Sequence, residues 1–406
     1  MSTPSARDEL KGKQRQNSTR YGYMYQISWK WYIYLTNVPI YVIIVHMKEF
    51  NAVEPNNELS FLPPDTSKTE TVRILKQESK AIAAIAELKG LANIIPNQAI
   101  LINAIVLQEA KDSSEIENII TTKDDLYKAV SATVTKVNPA TKEVMFYREA
   151  LFVGFQKIKQ RDLLSINDII EIQKILIQND AGIRRTPGTA LVNDKTNEII
   201  YTPPQNYEAI NALLKNFVEY LNNEESSLLK MAILHYQFET IHPFYDGNGR
   251  TGRIVNILYL ILKGYLDIPI LYLSSYIIRS KTQYYELLLS VSKDSNWEGW
   301  ILYILNGIEQ TAKETIVKIK KIRELLDRTI EAVKVQASKI YSKELVETLF
   351  VNPYCKVEFI TASINVERKA ASRYLRQLEE IGILKSYKVG KENIFINVEL
   401  IELLKE

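Results

Sequence analysis

Twelve consecutive residues, His242-Pro243-Phe244-Tyr245-Asp246-Gly247-Asn248-Gly249-Arg250-Thr251-Gly252-Arg253, gather most of the chain's reactive residue types in one place. An imidazole with an ordinary pKa of about 6.5 can accept a proton from a hydroxyl near neutral pH. That is the chemistry His242 offers. Asp246 is a hard oxygen ligand of the kind that Mg²⁺ takes, alone or in pairs, together with substrate phosphates. Glycines remove the Cβ that would block close approach, so the amides of Gly247 and Gly249 can line an anion-binding concavity. Arg250 and Arg253 are three apart, on neighbouring faces of one helical turn, and guanidinium forks match phosphate oxygens. Taken together, the residues suit a polyphosphate beside a general base.

Two rival readings of the glycines fit less well. Gly247-Asn248-Gly249-Arg250-Thr251-Gly252 satisfies the dinucleotide fingerprint, with Asp267 at a fitting distance, but that fingerprint needs a preceding strand in a parallel sheet. A helix precedes it here. A tight structural turn would not need an aspartate, an asparagine and two arginines together.

The elements that must hold these residues are helical. Leu228, Met231, Ala232, Phe238 and Ile241 have helical spacing, and Pro243 ends that helix with His242 at its C-terminal tip. A second helix starts at about Gly249, adding unsatisfied N–H groups and a positive dipole end. Its stretch Ile254 to Leu262 is apolar nearly all round, so it is buried, and Gly264 closes it. His235, seven residues before His242, reads as packed or hydrogen-bonded rather than catalytic.

The chain has 406 residues, 46% hydrophobic and 24% charged, the composition of a globular protein of two or three domains. A net charge of +3 is too small to imply nucleic acid or anionic membrane by bulk electrostatics. The single cysteine, Cys355, excludes an intrachain disulfide and a Cys-based zinc site and suits a reducing cytosol, so a cytoplasmic protein is expected. Residues 1–46 are polar and basic, then aromatic. They fall short of a clean spanning helix, no membrane is expected, and Met47 reads as the natural start.

Further along, helices are expected at Glu70 to Leu91, Pro96 to Ala110, Met145 to Ile158, Ile166 to Ile177 and Tyr207 to Leu221. Others should cover Tyr276 to Val291, Trp297 to Ile308 and about Gln310 to Val335, the last long enough to bridge two bodies. Thr189 to Val192 and Glu198 to Thr202 flank a polar turn as a hairpin. From Ser342 the order is helix (Ser342 to Leu349), short helix, helix at Glu367 to Ile381, then two strands about Gly390, with a turn region at Thr361 to Val366. That order resembles a winged helix-turn-helix, with Arg368, Lys369, Arg373 and Arg376 available to DNA; a small appendage for protein contact is the other reading.

The stretch His242 to Arg253 resembles the signature of the Fic family, H-P-F-x-[DE]-G-N-G-R-x-x-R, and matches every specified position. The resemblance implies a mainly α fold: a Fic-type helical core (145–308) with a β-hairpin flap, and an N-terminal helical region (47–144). A linker helix (309–338) and the winged helix-turn-helix (339–406) follow. It implies a protein adenylyltransferase that moves AMP from ATP to a Ser, Thr or Tyr hydroxyl. His242 would be the base and Asp246 would hold Mg²⁺. Gly247, Asn248 and Gly249 would form the anion hole, with Arg250, Thr251, Gly252 and Arg253 also in the nucleotide site. Tyr285 would lie near the adenine, and the flap at 182–204 would hold the target protein by strand addition.

Ser113-Ser114-Glu115-Ile116-Glu117-Asn118 resembles the family's inhibitory motif through Ser113, Glu117 and Asn118. By that resemblance Glu117 pairs with Arg253 and keeps the γ-phosphate from its productive place. Ser114 and Glu117 also have the spacing of a capping box. Two further functions stay open: a phosphodiesterase that removes AMP at the same site, and a nucleotide-sensing regulator that binds DNA. The long amphipathic helices permit a homodimer without requiring it.

Overall fold

The computed structural model describes residues 50–131, 137–193, 196–389 and 392–405. The reading of residues 1–46 therefore lies outside the described residues. A one-turn helix α1 (Thr66–Thr69) leads into α2 (Val72–Ala92), whose N-cap Thr71 accepts a bond from the Ile74 amide. Next come α3 (Gln98–Ile116), α4 (Lys123–Val130), α5 (Pro139–Arg161) and α6 (Ile166–Ile177). Their N-caps, Asn97, Thr122, Asn138 and Ser165, each accept a backbone N–H, and Ser165 with Asp168 completes a capping box.

A short antiparallel hairpin, β1 (Leu191–Val192) with β2 (Ile199–Tyr201), interrupts the helices as expected. The helical core then closes with α7 (Tyr207–Asn222), α8 (Leu228–Ile241) and α9 (Asn248–Leu262). Every residue of α8 is buried, so it forms the centre around which α2, α7, α9 and a later helix pack. The fold is mainly α.

Several elements differ from the sequence expectation. α3 begins at Gln98, because Asn97 caps it and Pro96 stays outside. It then runs on to Ile116, so Ser113 to Ile116 is its last turn. The capping-box reading fails for that reason: Ser114 sits inside a C-terminal turn, and Glu117 is the C-cap. α5 starts six residues early at Pro139, a favoured first position. The stretch around Tyr276 is two helices, α10 (Ser274–Arg279) and α11 (Lys281–Asp294), broken at Ser280.

The two helices expected from Trp297 to Val335 are one, α12 (Trp297–Gln336), about 60 Å long at 1.5 Å per residue. It does not bridge two bodies. It lies along α2 and touches α8, α11 and the C-terminal helices as a spine. Residues 51–406 form one compact unit.

The C-terminal part runs α13 (Lys343–Val351), β3 (Tyr354–Cys355), α14 (Val357–Ile364) and α15 (Arg368–Glu380). It ends with β4 (Lys385–Val389), β5 (Glu392–Ile396) and α16 (Val398–Lys405). β5 pairs antiparallel with both β4 and β3. Helix, helix and hairpin come in the expected order. The turn region at Thr361 to Val366 is instead mostly the end of α14, and β3 and α16 were not foreseen. Among the described residues no helix is long and apolar enough to cross a membrane.

Candidate active site

His242 is the C-cap of α8, in the left-handed region at φ 49°, which turns the chain sharply into Pro243. Its Nδ1 lies 3.3 Å from the Glu239 carbonyl oxygen. A carbonyl only accepts, so Nδ1 carries the hydrogen and Nε2 keeps its lone pair. Burial lowers the imidazole pKa to about 4, against the Glu239 carbonyl, Glu117 and Asp246, which raise it. His242 is therefore neutral and proton-accepting at neutral pH.

The loop is fixed from both sides. Asn248 accepts the Phe244 amide and donates to the Phe244 carbonyl, each at 2.8 Å. Its side chain thus closes the loop instead of facing a ligand. Arg184, fully buried, donates to the carbonyls of His242 (2.7 Å), Ile241 (3.2 Å) and Pro204. Its own amide bonds Pro243, and Ile183 bridges Phe244, so the base of the flap is strand-paired to the loop. Tyr245 accepts the Arg185 amide at 2.9 Å. Nothing local marks Arg184 in the sequence, where Arg184-Arg185 reads as two solvated cations. Arg184→Ala would strand three carbonyls, and should cost about 2–3 kcal/mol in urea unfolding, charged hydrogen bonds being worth that much. A loss below about 0.5 kcal/mol, within the range of ordinary surface changes, would contradict it.

Gly247 caps α9 at φ 79°, with no side-chain cap bond, and the first helical bond runs from Thr251 to the Gly247 carbonyl. The amides of Asn248, Gly249 and Arg250 precede it, the usual orphan donors of a helix start. Asp246 keeps 68% of its side chain exposed beside them, 3.7 Å from Arg250 Nη2. That carboxylate has room for a divalent cation shared with phosphates. Among the described residues no cluster of three or more His, Cys, Asp or Glu could hold a metal alone. Arg250 donates to Glu143 at 3.1 Å. Thr251 and Gly252 do not come to the open side: Thr251 is fully buried, and a Cβ on Gly252 would meet the Phe238 ring at 3.1 Å.

Arg253 is the most engaged cation. Its Nε donates to Ser113 Oγ at 2.7 Å, and its Nη2 to the Ser113 carbonyl at 2.9 Å and to Glu117 Oε1 at 2.8 Å. The arginine side chain is 3% exposed and the glutamate 35%, so the pair lies on a floor that solvent reaches from the Glu117 side. Burial alone would raise the Glu117 pKa, but the Arg253 charge and bond outweigh it and hold the carboxyl below its usual range. A second carboxylate, Glu239, is buried nearby. Burial raises it to about 7, so it competes weakly and Glu117 is the ionised partner. Gly249 leaves the space that the Glu117 carboxylate occupies.

Three family models match in chain order: the Fic/DOC family N-terminal region at 75–156, the Fic/DOC family at 163–260, and the C-terminal domain described as protein adenylyltransferase SoFic-like at 325–400. The chain belongs to the Fic/DOC family. It is 28% identical over 170 residues to "Protein adenylyltransferase fic-1" of Caenorhabditis elegans, covering 40% of this chain and 30% of that one. It is 41% identical over 70 residues to a "Probable protein adenylyltransferase" of Aquifex aeolicus, covering 17% and 22%. The chain thus spans under a third of those relatives' own length. A crystal structure of a Fic family protein from Desulfovibrio desulfuricans shares the fold, with a TM-score of 0.51 and 17% identity over 80% of this chain and 96% of that one.

In this Fic chain the remaining candidates lie on the turn after α3 and on α11. Asn118 adopts φ 62° after the Glu117 cap, and Lys281 reaches its side chain at 3.4 Å. Tyr285, four residues on along α11, is 38% exposed and packs edge-on to Tyr284. Tyr284 is buried and bonds His235 Nε2 at 3.0 Å. His235 stacks on Trp300, and burial lowers its pKa to about 3, so it is a neutral core residue as expected.

Proposed function

We propose that this Fic chain is a protein adenylyltransferase held in check by Glu117. The Arg253–Glu117 pair, set beside the Nε2 lone pair of His242 and the orphan amides of α9, carries the reading. ATP is the substrate. Its β- and γ-phosphates would rest on the α9 amides, Arg250 and Arg253, as an anion does at a helix start. Asp246 would hold a magnesium ion, which when bound neutralises charge on the phosphates. His242 Nε2 takes the proton of a target hydroxyl as its oxygen bonds the α-phosphorus. The bond from that phosphorus to the bridging oxygen breaks, and pyrophosphate leaves with the electron pair.

Val192 and Ile199 are exposed apolar residues on the flap, and its edges suit strand addition by a target segment. The test is transfer of label from α-labelled ATP to protein. Label removed from an AMP-modified target faster than it is added would point instead to the phosphodiesterase.

The pH dependence follows from the imidazole. Because His242 accepts protons down to about pH 4, transfer by Glu117→Gly protein should show no loss near pH 6.5 and an acid limb below pH 5. Removing Glu117 takes away one anion that raises the pKa, so the limb cannot move up on that account. An inflection in kcat/KM at pH 6.5 would contradict this.

We also propose that α15 meets duplex DNA. Lys369, Arg373 and Arg376, at i, i+4 and i+7, are exposed along one face, and Lys385 and Lys388 are exposed on β4 beside it. Titrating the full chain with a labelled duplex should give an affinity that falls with salt. Replacing Lys369, Arg373 and Arg376 by Ala should flatten the log–log slope by about 2 to 3. An unchanged slope would contradict it.

A further inference from the structure

The turn that carries Glu117 joins α3 to α4, and both helices rest on the C-terminal part of the chain. α3 leans on α13, where Asn97 donates to Glu347 at 3.3 Å and Asn103 to the Val351 carbonyl at 3.1 Å. α4 is held more closely. Its first residue, Lys123, donates to the carbonyls of Leu404 (3.0 Å) and Lys405 (2.8 Å), capping the end of α16 with a cation. Tyr354 of β3 donates its hydroxyl to Asp124, and its ring stacks on Tyr127 at 6.2 Å with the planes 10° apart.

The turn between α3 and α4 is tied mainly to its own helix end: the Glu117 and Ile119 amides bond the Ser114 carbonyl and the Asn118 amide bonds the Glu115 carbonyl, each at 3.0 Å. Lys281 reaches Asn118 at 3.4 Å, Thr121 meets Thr141 at 2.6 Å, and Ile120 is 70% exposed. The seam is also imperfectly filled. A cavity of about 10 Å³, enough for one water, remains among Ile100, Leu107, Tyr127, Phe350 and Leu404. α4 buries Leu126 and Tyr127 and packs on α5, so the bonds of Lys123 and Tyr354 fix its remaining edge, where it meets the C-terminal part.

We infer that Lys123 and Tyr354 are positioning residues for Glu117: the C-terminal module holds α4 in place, and through the turn keeps the glutamate on Arg253. The inference rests on the autoinhibition proposed above and names what sets its strength. Neither residue touches the nucleotide side of the site. They act by fixing where the turn ends, as α3 fixes where it begins.

The test is a double-mutant cycle in the full chain, read by α-label incorporation, with Lys123→Ala and Tyr354→Phe each made in the parent and in Glu117→Gly protein. Each should raise incorporation about 3- to 10-fold in the parent, the worth of one lost hydrogen bond. Neither should change it more than about twofold in the Glu117→Gly background. Tyr354→Phe removes one oxygen and keeps the stacked ring, so the fold survives. Hydrogen exchange supplies a readout independent of activity: amides 117–122 should exchange faster in Tyr354→Phe, and those of α8 should not. Equal rises in both backgrounds, or unchanged exchange at 117–122, would overturn the inference. If Glu117→Gly itself gives no rise while exchange at 117–122 quickens, the positioning stands and the autoinhibition reading falls.

Discussion

Glu117→Gly should raise AMP transfer by about 10- to 100-fold, the equivalent of roughly 1.5–3 kcal/mol for a charge-assisted hydrogen bond. The reason is competition for one guanidinium. Arg253 spends its Nη2 on Glu117 and the Ser113 carbonyl and its Nε on Ser113 Oγ. A phosphate can claim Nη2 only by displacing the carboxylate, and a guanidinium cannot pair fully with both. Glycine removes the carboxylate and leaves the two bonds to Ser113, so the arginine stays in place for its new partner. Ser113→Ala should act in the same direction but less, because it frees a donor without removing the anion. Self-labelling assayed side by side measures both. Equal labelling by parent and Glu117→Gly protein would contradict the account.

His242→Ala should lower transfer by about 10²- to 10⁴-fold, the usual worth of a positioned general base. The change should fall on kcat, since in the proposed mechanism the ring meets the target hydroxyl and the nucleotide rests on α9. The His242 ring is held by one bond to the Glu239 carbonyl, and its backbone by Arg184, so removing the ring leaves the loop intact. Nucleotide binding, followed by calorimetry in the Glu117→Gly background, should therefore change little. Loss of binding together with loss of transfer would mean that His242 holds the loop and not the proton.

The signature residues were legible because local chemistry and local structure agree there. Pro243 stops α8, Gly247 needs a left-handed backbone, and two arginines follow at helical spacing. The pairing of Glu117 with Arg253, 136 positions apart, was reachable only through the family resemblance, since no local pattern links them. What stayed hidden depends on tertiary packing. The Asn248 side chain ties the loop together while its amide stands among the first donors of α9, and Gly252 lets α9 approach α8. Arg184 looks solvated and is buried. The single long α12 was read as two helices although Ile308-Glu309-Gln310 holds no residue that must break a helix, and only packing along α2 tells a spine from a linker. Lys123 and Tyr354 are 231 residues apart, and neither carries a motif.

The most direct measurement is labelling of protein by ATP carrying label at the α or the γ position, with parent, Glu117→Gly and His242→Ala chains. Protein-bound label should come from the α position alone, stronger with Glu117→Gly and abolished with His242→Ala. Label arriving from the γ position, or α label that survives the histidine change, would contradict it.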